Sequence, residues 1–220
     1  MLKLPGKFRR ILIGMLLPAI LFASGVAYTA ENPKVKIHTN LGDIILELYP
    51  DKAPKSVANF LQYVEEDFYT DTVFHRVIDG FMIQGGGFSP RFERKTPRAP
   101  ILNEADNGLK NTRGTVAMAR TSEPHSATAQ FFINVADNPF LDHTDKTPRG
   151  WGYTVFGHVI QGMDVVDAIR TTPTGSGGPF PRDVPKSPVI ILSATYINKP
   201  QPATEKQTEK PSLPAAPVIK

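Results

Sequence analysis

Apolar and polar side chains alternate with a period of two along Lys34 to Thr39 and Asp43 to Tyr49. In the second stretch Ile44, Leu46 and Leu48 stand opposite Ile45, Glu47 and Tyr49, so two strands are expected, joined across Asn40-Leu41-Gly42. The period then changes. Pro54 suits a first helical turn, and Val57, Phe60, Leu61 and Val64 follow at the spacing of one helix face. Strand-like segments return around 72–78, 81–84, 114–118, 130–135, 153–160 and 188–197, while Met163 to Arg170 carries Val165, Val166 and Ile169 at helical spacing. Polar loops rich in Gly, Pro, Ser and Thr separate them at 88–112, 120–129 and 142–152. Many short strands with two helices point to a closed barrel.

Both ends fall outside this pattern. Lys3, Lys7, Arg9 and Arg10 precede the apolar run Ile11 to Phe22, and small residues follow through Ala30, which is the layout of a secretory signal peptide. A bilayer span takes about 20 apolar residues. This run is shorter, so residues 1–30 are expected to be removed after about Ala27 or Ala30, leaving no stable membrane insertion. Residues 199–220 carry prolines and lysines with hardly any large apolar side chain before Val218-Ile219. That composition cannot build a core, and a disordered tail is expected. One folded domain remains, over 34–198.

Charge changes the picture only in the leader. The formal net charge is +4, but all four leader cations precede the first acidic residue, Glu31, and without them 21 basic residues of the 25 face 21 acidic ones. A balanced chain gives no electrostatic reason to expect nucleic acid. Cysteine is absent, which excludes disulfides, thiolate metal sites and a thiol nucleophile. His38, His125, His143 and His158 show no HExxH spacing, so no metal is expected. Gly175-Ser-Gly-Gly lacks the GxSxG pattern and Gly85-Gly-Gly is not a phosphate loop. No cofactor is implied.

Candidate chemistry concentrates in Val73 to Gly87, VFHRVIDGFMIQGGG. Strict alternation puts Phe74, Arg76 and Ile78 on one face and Val73, His75 and Val77 on the other, making His75 a hydrogen-bonded core histidine. Past the turn at Asp79-Gly80, Met82 and Gln84 share a face opposite Phe81 and Ile83. Further on, Gln130 and Phe132 share a face opposite Phe131 and Ile133. The result is a surface that sets soft apolar groups beside a fixed cation.

Together with GTVAMA at 114–119, FLD at 140–142 and YTVFGHV at 153–159, these residues resemble the cyclophilin family of peptidyl-prolyl cis-trans isomerases, in order over 34–198. The resemblance implies a mainly β fold: a closed eight-stranded antiparallel barrel capped by two α-helices, with the substrate groove outside. It implies that Arg76 is catalytic and that Phe81, Met82, Phe132 and Leu141 receive the proline ring. Gln84, Ala119, Arg120 and Gln130 would meet the peptide backbone and flanking residues, with Phe140 and Tyr153 at the rim. Phe140 and Tyr153 stand where eukaryotic members place tryptophan and histidine, and Arg120 replaces their asparagine. In these changes, and in NEADNGLKNTRGTVAMAR at 103–120, the chain is similar to the bacterial exported branch. A monomeric periplasmic enzyme acting on proline-containing unfolded or newly secreted polypeptides is therefore expected. The competing expectations are a non-catalytic proline-peptide binding module or holdase, and a barrel that carries small apolar ligands.

Overall fold

Val35, Ile37, Ile44, Leu46 and Leu48 are all buried, while the residues between them are half-buried or exposed, so β1 (Lys34–Thr39) and β2 (Gly42–Leu48) turn one apolar face inward. They pair antiparallel in a computed structural model that describes residues 31–198. The expected signal peptide at 1–30 and tail at 199–220 lie outside the described residues. After the helix α1 (Pro54–Glu65) come β3 (Thr72–Ile78), β4 (Met82–Gly85), β5 (Thr115–Met118) and β6 (Phe131–Asn134). The chain continues through β7 (Val155–Gln161), the helix α2 (Met163–Arg170), β8 (Thr174–Gly177), β9 (Phe180–Pro185) and β10 (Ile190–Asn198).

Eight of these strands close into an antiparallel barrel in the order β1-β10-β3-β4-β6-β5-β7-β2. Its last strand pairs with its first, Lys34 opposite Asn198. Closure removes free sheet edges. The interior is filled rather than hollow, with Phe60, Phe74, Phe131 and Phe156 all at most 1% exposed among the packed side chains. Phe60 lies 5.2 to 5.5 Å from the rings of Tyr69, Phe131 and Phe156, within the range of favourable aromatic packing. A packed interior leaves no room for the carrier reading. Both helices press a buried stripe onto this core, Val57, Phe60 and Val64 from α1 and Val166 and Ile169 from α2.

Capping of α1 comes from far along the chain. Ala53 stands at its N-cap and has no side chain to offer, and the Glu104 carboxylate accepts from the Lys55 and Ser56 backbone N–H groups at 2.9 and 2.8 Å instead. An anion there also suits the positive end of the helix dipole.

Two departures from strict alternation shape the outer surface. Pairing of β3 with β4 runs Phe74 opposite Gly85 and then Arg76 opposite Gln84, so His75 is an inserted bulge residue. Phe74 and Val77 consequently face the core, and His75 and Arg76 both face out. This corrects the expected grouping of Phe74 with Arg76 and of His75 with Val77. The second departure is the β8–β9 hairpin, a two-stranded sheet outside the barrel that packs against β3. Its run of Gly and Pro residues carries no strand pattern.

Candidate active site

Because Ile83, Phe131 and Ile133 point into the barrel, their neighbours Met82, Gln84 and Phe132 point out, and the pleat alone sets one face of the site. Met82 and Phe132 are nearly covered, yet they belong to a separate apolar cluster with Ala117, Leu141 and Val155. Phe81 joins that cluster too. It precedes β4, in a turn where its N–H donates to Ile78 O at 3.1 Å, so the alternation that would have paired it with Ile83 does not apply.

An open groove runs over this cluster. Arg76, Gln84, Ala119 and Arg120 line it with Phe81, Met82, Phe132, Leu141 and Tyr153. Nine of the expected site residues are thus brought together. The other two stand just outside. Gln130 sits behind Gln84 and accepts from its Nε2 at 3.0 Å, and Phe140 lies 71% exposed with its ring 5.6 Å from Phe81. Gly87 is what lets Gln130 reach that position, since a Cβ there would lie 2.5 Å from the glutamine side chain.

Arg76 is the cation at the apolar end. Its Nη1 makes a long 3.5 Å contact to Gln84 Oε1, and its guanidinium carbon lies 5.9 Å from the Phe81 ring centre. Gln84 and Gln130 therefore form a short relay that braces the guanidinium from behind. The second cation, Arg120, lies over Tyr153, 4.6 Å from the ring centre, and donates to Gly152 O at 2.8 Å.

Buried asparagines unnoticed in the sequence hold the pocket wall. Asn138 donates to Phe81 O at 2.9 Å and to Asn134 Oδ1 at 2.8 Å, and Asn134 donates in turn to Asn111 Oδ1 at 3.2 Å. Asn111 donates to Leu141 O at 3.2 Å. A satisfied buried network is rigid, so this one fixes two residues of the apolar pocket through their backbones. The available signal was an asparagine ending the FFIN strand followed by another four residues later. Trp151 packs between His125 and His143 at 5.0 and 5.3 Å and joins the 120–129 and 142–152 loops.

His75 corrects an expectation. It is 3% exposed, but it lies outside the barrel between Phe88 and Phe180, and its Nδ1 has no hydrogen-bond partner. Burial pulls its pKa down from 6.5 to about 4, so the ring is neutral at physiological pH. No group of three or more potential metal ligands occurs among the described residues.

The profile of the family described as "Cyclophilin type peptidyl-prolyl cis-trans isomerase/CLD" matches residues 34–196. The chain is 60% identical over 161 residues to peptidyl-prolyl cis-trans isomerase B of Escherichia coli, covering 73% of this chain and 98% of that one. It is 50% identical over 192 residues to peptidyl-prolyl cis-trans isomerase A of Dickeya dadantii, covering 87% of this chain and 99% of that one. Among solved structures, a Cryptosporidium parvum cyclophilin type peptidyl-prolyl cis-trans isomerase crystallised in the presence of the dipeptide Ala-Pro superposes with a TM-score of 0.61. It is 28% identical and covers 76% of this chain and 99% of that one.

Proposed function

This chain belongs to the cyclophilin-type peptidyl-prolyl cis-trans isomerase family, and from that premise we propose that it accelerates folding of exported polypeptides, with Arg76 as its catalytic residue. Rotation about an X-Pro bond crosses a barrier of about 18–20 kcal/mol and takes tens to hundreds of seconds unaided. No covalent bond forms or breaks. The catalyst therefore needs no nucleophile or general base; it must favour the twisted bond over the planar one. As the amide twists, its resonance is lost and the lone pair localises on the prolyl nitrogen. An arginine N–H aimed at that atom stabilises it in the twisted state more than in the planar one.

The observation that carries this reading is the half-buried Arg76 guanidinium at one end of the Phe81, Met82, Phe132 and Leu141 pocket. The apolar pocket holds the ring while the guanidinium, braced by Gln84, meets the nitrogen. Arginine keeps its charge at every relevant pH, so no proton need be managed. Gln130, Ala119 and Arg120 would receive the peptide on either side, with Phe140 and Tyr153 at the rim.

Export, and with it a periplasmic location, is supported by the order of cationic, apolar and small residues in 1–30. The test is to recover the protein from the periplasmic fraction, measure its intact mass and assay isomerisation of an Ala-Pro peptide. A start near residue 28 or 31 and acceleration over the uncatalysed rate are expected. A full-length, cytoplasmic product would remove the export reading and leave the isomerase reading standing.

A further inference from the structure

Resting on the isomerase reading, we propose that the groove favours substrates with an aspartate or glutamate beside the proline, and that Arg120 sets this preference. Arg120 follows β5 and its guanidinium is held on several sides. Nε donates to Gly152 O at 2.8 Å, Nη1 to Thr121 O at 2.9 Å and Ser122 O at 3.3 Å, and Nη2 to Pro148 O at 3.2 Å. Tyr153 covers one face of the plane at 4.6 Å.

Every one of these partners is neutral. The bonds fix where the charge sits but do not cancel it. Arg76 is in the same condition, since its contact is with the amide oxygen of Gln84. Among the described residues neither arginine takes part in an ion pair, whereas Arg98, Arg113 and Arg170 each find a carboxylate within 3 Å. No aspartate or glutamate lines the groove. The acidic residue nearest Arg120 in sequence, Glu123, is exposed and forms no ion pair among the described residues.

Two cations without a carboxylate partner therefore flank an apolar wall. Low-dielectric walls focus such a field along the groove, and a peptide lying there feels it at close range. An acidic side chain beside the proline gains from it and a lysine loses. Because Arg120 has already surrendered its rotamer freedom to backbone carbonyls, little further ordering is needed when the peptide arrives. The preference should act through space, since most of the guanidinium donors are engaged. Interaction across several ångströms at an effective dielectric between surface and bulk values predicts a ~3- to 10-fold gain in kcat/KM at low salt. A loop staple with no electrostatic role would predict no gain.

The experiment compares peptides carrying Glu, Gln or Lys immediately before or immediately after the proline, by conformer-resolved exchange measurements that need no protease. The Glu peptide is expected to exceed its Gln isostere in at least one placement, with Lys lowest. At ~1 M ionic strength the Debye length falls to about 3 Å and the ratio should collapse towards one. Arg120→Met should abolish the ratio at low salt. Arg120→Lys keeps the charge but loses the planar fork, so it should retain most of the ratio while lowering the melting temperature. Equal turnover of the Glu and Gln peptides in both placements would overturn the proposal. So would a Glu preference that survives high salt or Arg120→Met, and the salt series on the unaltered protein decides the matter if a variant does not fold. Failure to isomerise any peptide, Gln isosteres included, would remove the isomerase reading itself, and this preference with it.

Discussion

His75 and Arg76 are consecutive residues on one strand, both turned out of the barrel by the same bulge, and they end in opposite chemical states. His75 is roofed by Phe88 and by Phe180 of the β8–β9 hairpin, at 4.8 and 5.3 Å, which excludes water and holds the ring neutral. Arg76 emerges on the unroofed side, where solvent and the Gln84 amide keep a full charge in place. Backbone geometry delivers both residues to the surface. What covers them afterwards decides which can act. The comparison teaches that the hairpin outside the barrel, by covering one neighbour and not the other, divides a buried neutral histidine from an arginine that lines the open groove.

The sharpest way to break that division is at Arg76. Arg76→Ala is expected to lower kcat/KM on an Ala-Pro peptide by ~10²- to 10³-fold, the usual cost of losing one preorganised donor. Arg76→Lys should fall nearly as far because it loses the oriented fork. Since Arg76 faces the groove rather than the core, thermal melting of both variants should stay close to that of the parent. Parent-like turnover by Arg76→Ala would end the catalytic assignment.

A second prediction tests the roofed side. The folded pKa of His75, about 4, lies below the ordinary 6.5, so the unfolded chain binds the proton first. The contribution is fully favourable above pH 6.5 and is lost as pH falls through 6.5 towards 4. By pH 4.5 the loss should amount to about 2–3 kcal/mol at 1.36 kcal/mol per unit. Urea unfolding at pH 7 and 4.5 measures the loss, and His75→Phe should flatten that part of the acid dependence. An unchanged pH slope in the variant would place the acid sensitivity elsewhere.

The smallest effect is expected at the rim, where Phe140 is exposed and its ring meets that of Phe81 at a tilt of 34°. Phe140→Trp adds apolar area and an N–H donor at the position where cyclosporin-sensitive members of the family carry tryptophan. Cyclosporin affinity should rise about ten-fold, from one hydrogen bond and some added contact. Turnover of short peptides, which lie deeper, should stay near that of the parent. Identical titrations of the two forms would show that the groove floor, and not its rim, governs inhibitor affinity.

The barrel was legible wherever one face of a strand met the core and the other did not. β1, β2 and β6 carry that alternation without interruption, and both helices announce themselves by spacing and by Pro54. The bulge was not legible, because one inserted residue shifts the phase and His75 is as compatible with either face as its neighbours are. β8 and β9 were hidden by glycine and proline, which weaken any strand signal. At the site, alternation placed Met82, Gln84 and Phe132, but it would have turned Phe81 inward. Only the family resemblance put Phe81 in the pocket. The asparagine network escaped notice because its meaning depends on loops meeting in space, as Asn111 and Asn138 do through Asn134.

Closure of the barrel by its first and last strands has a consequence in time. β1 can pair with β2 as soon as both exist, but its other edge waits for β10, whose partner residues lie 164 positions away in the Lys34–Asn198 contact. Until then an unpaired strand edge is presented to every other chain nearby. Pairings of such long range are slow to form, since the entropy of the intervening loop must be surrendered first. A member of a peptidyl-prolyl isomerase family thus carries, in its own topology, a slow step and an interval of vulnerability to misassembly.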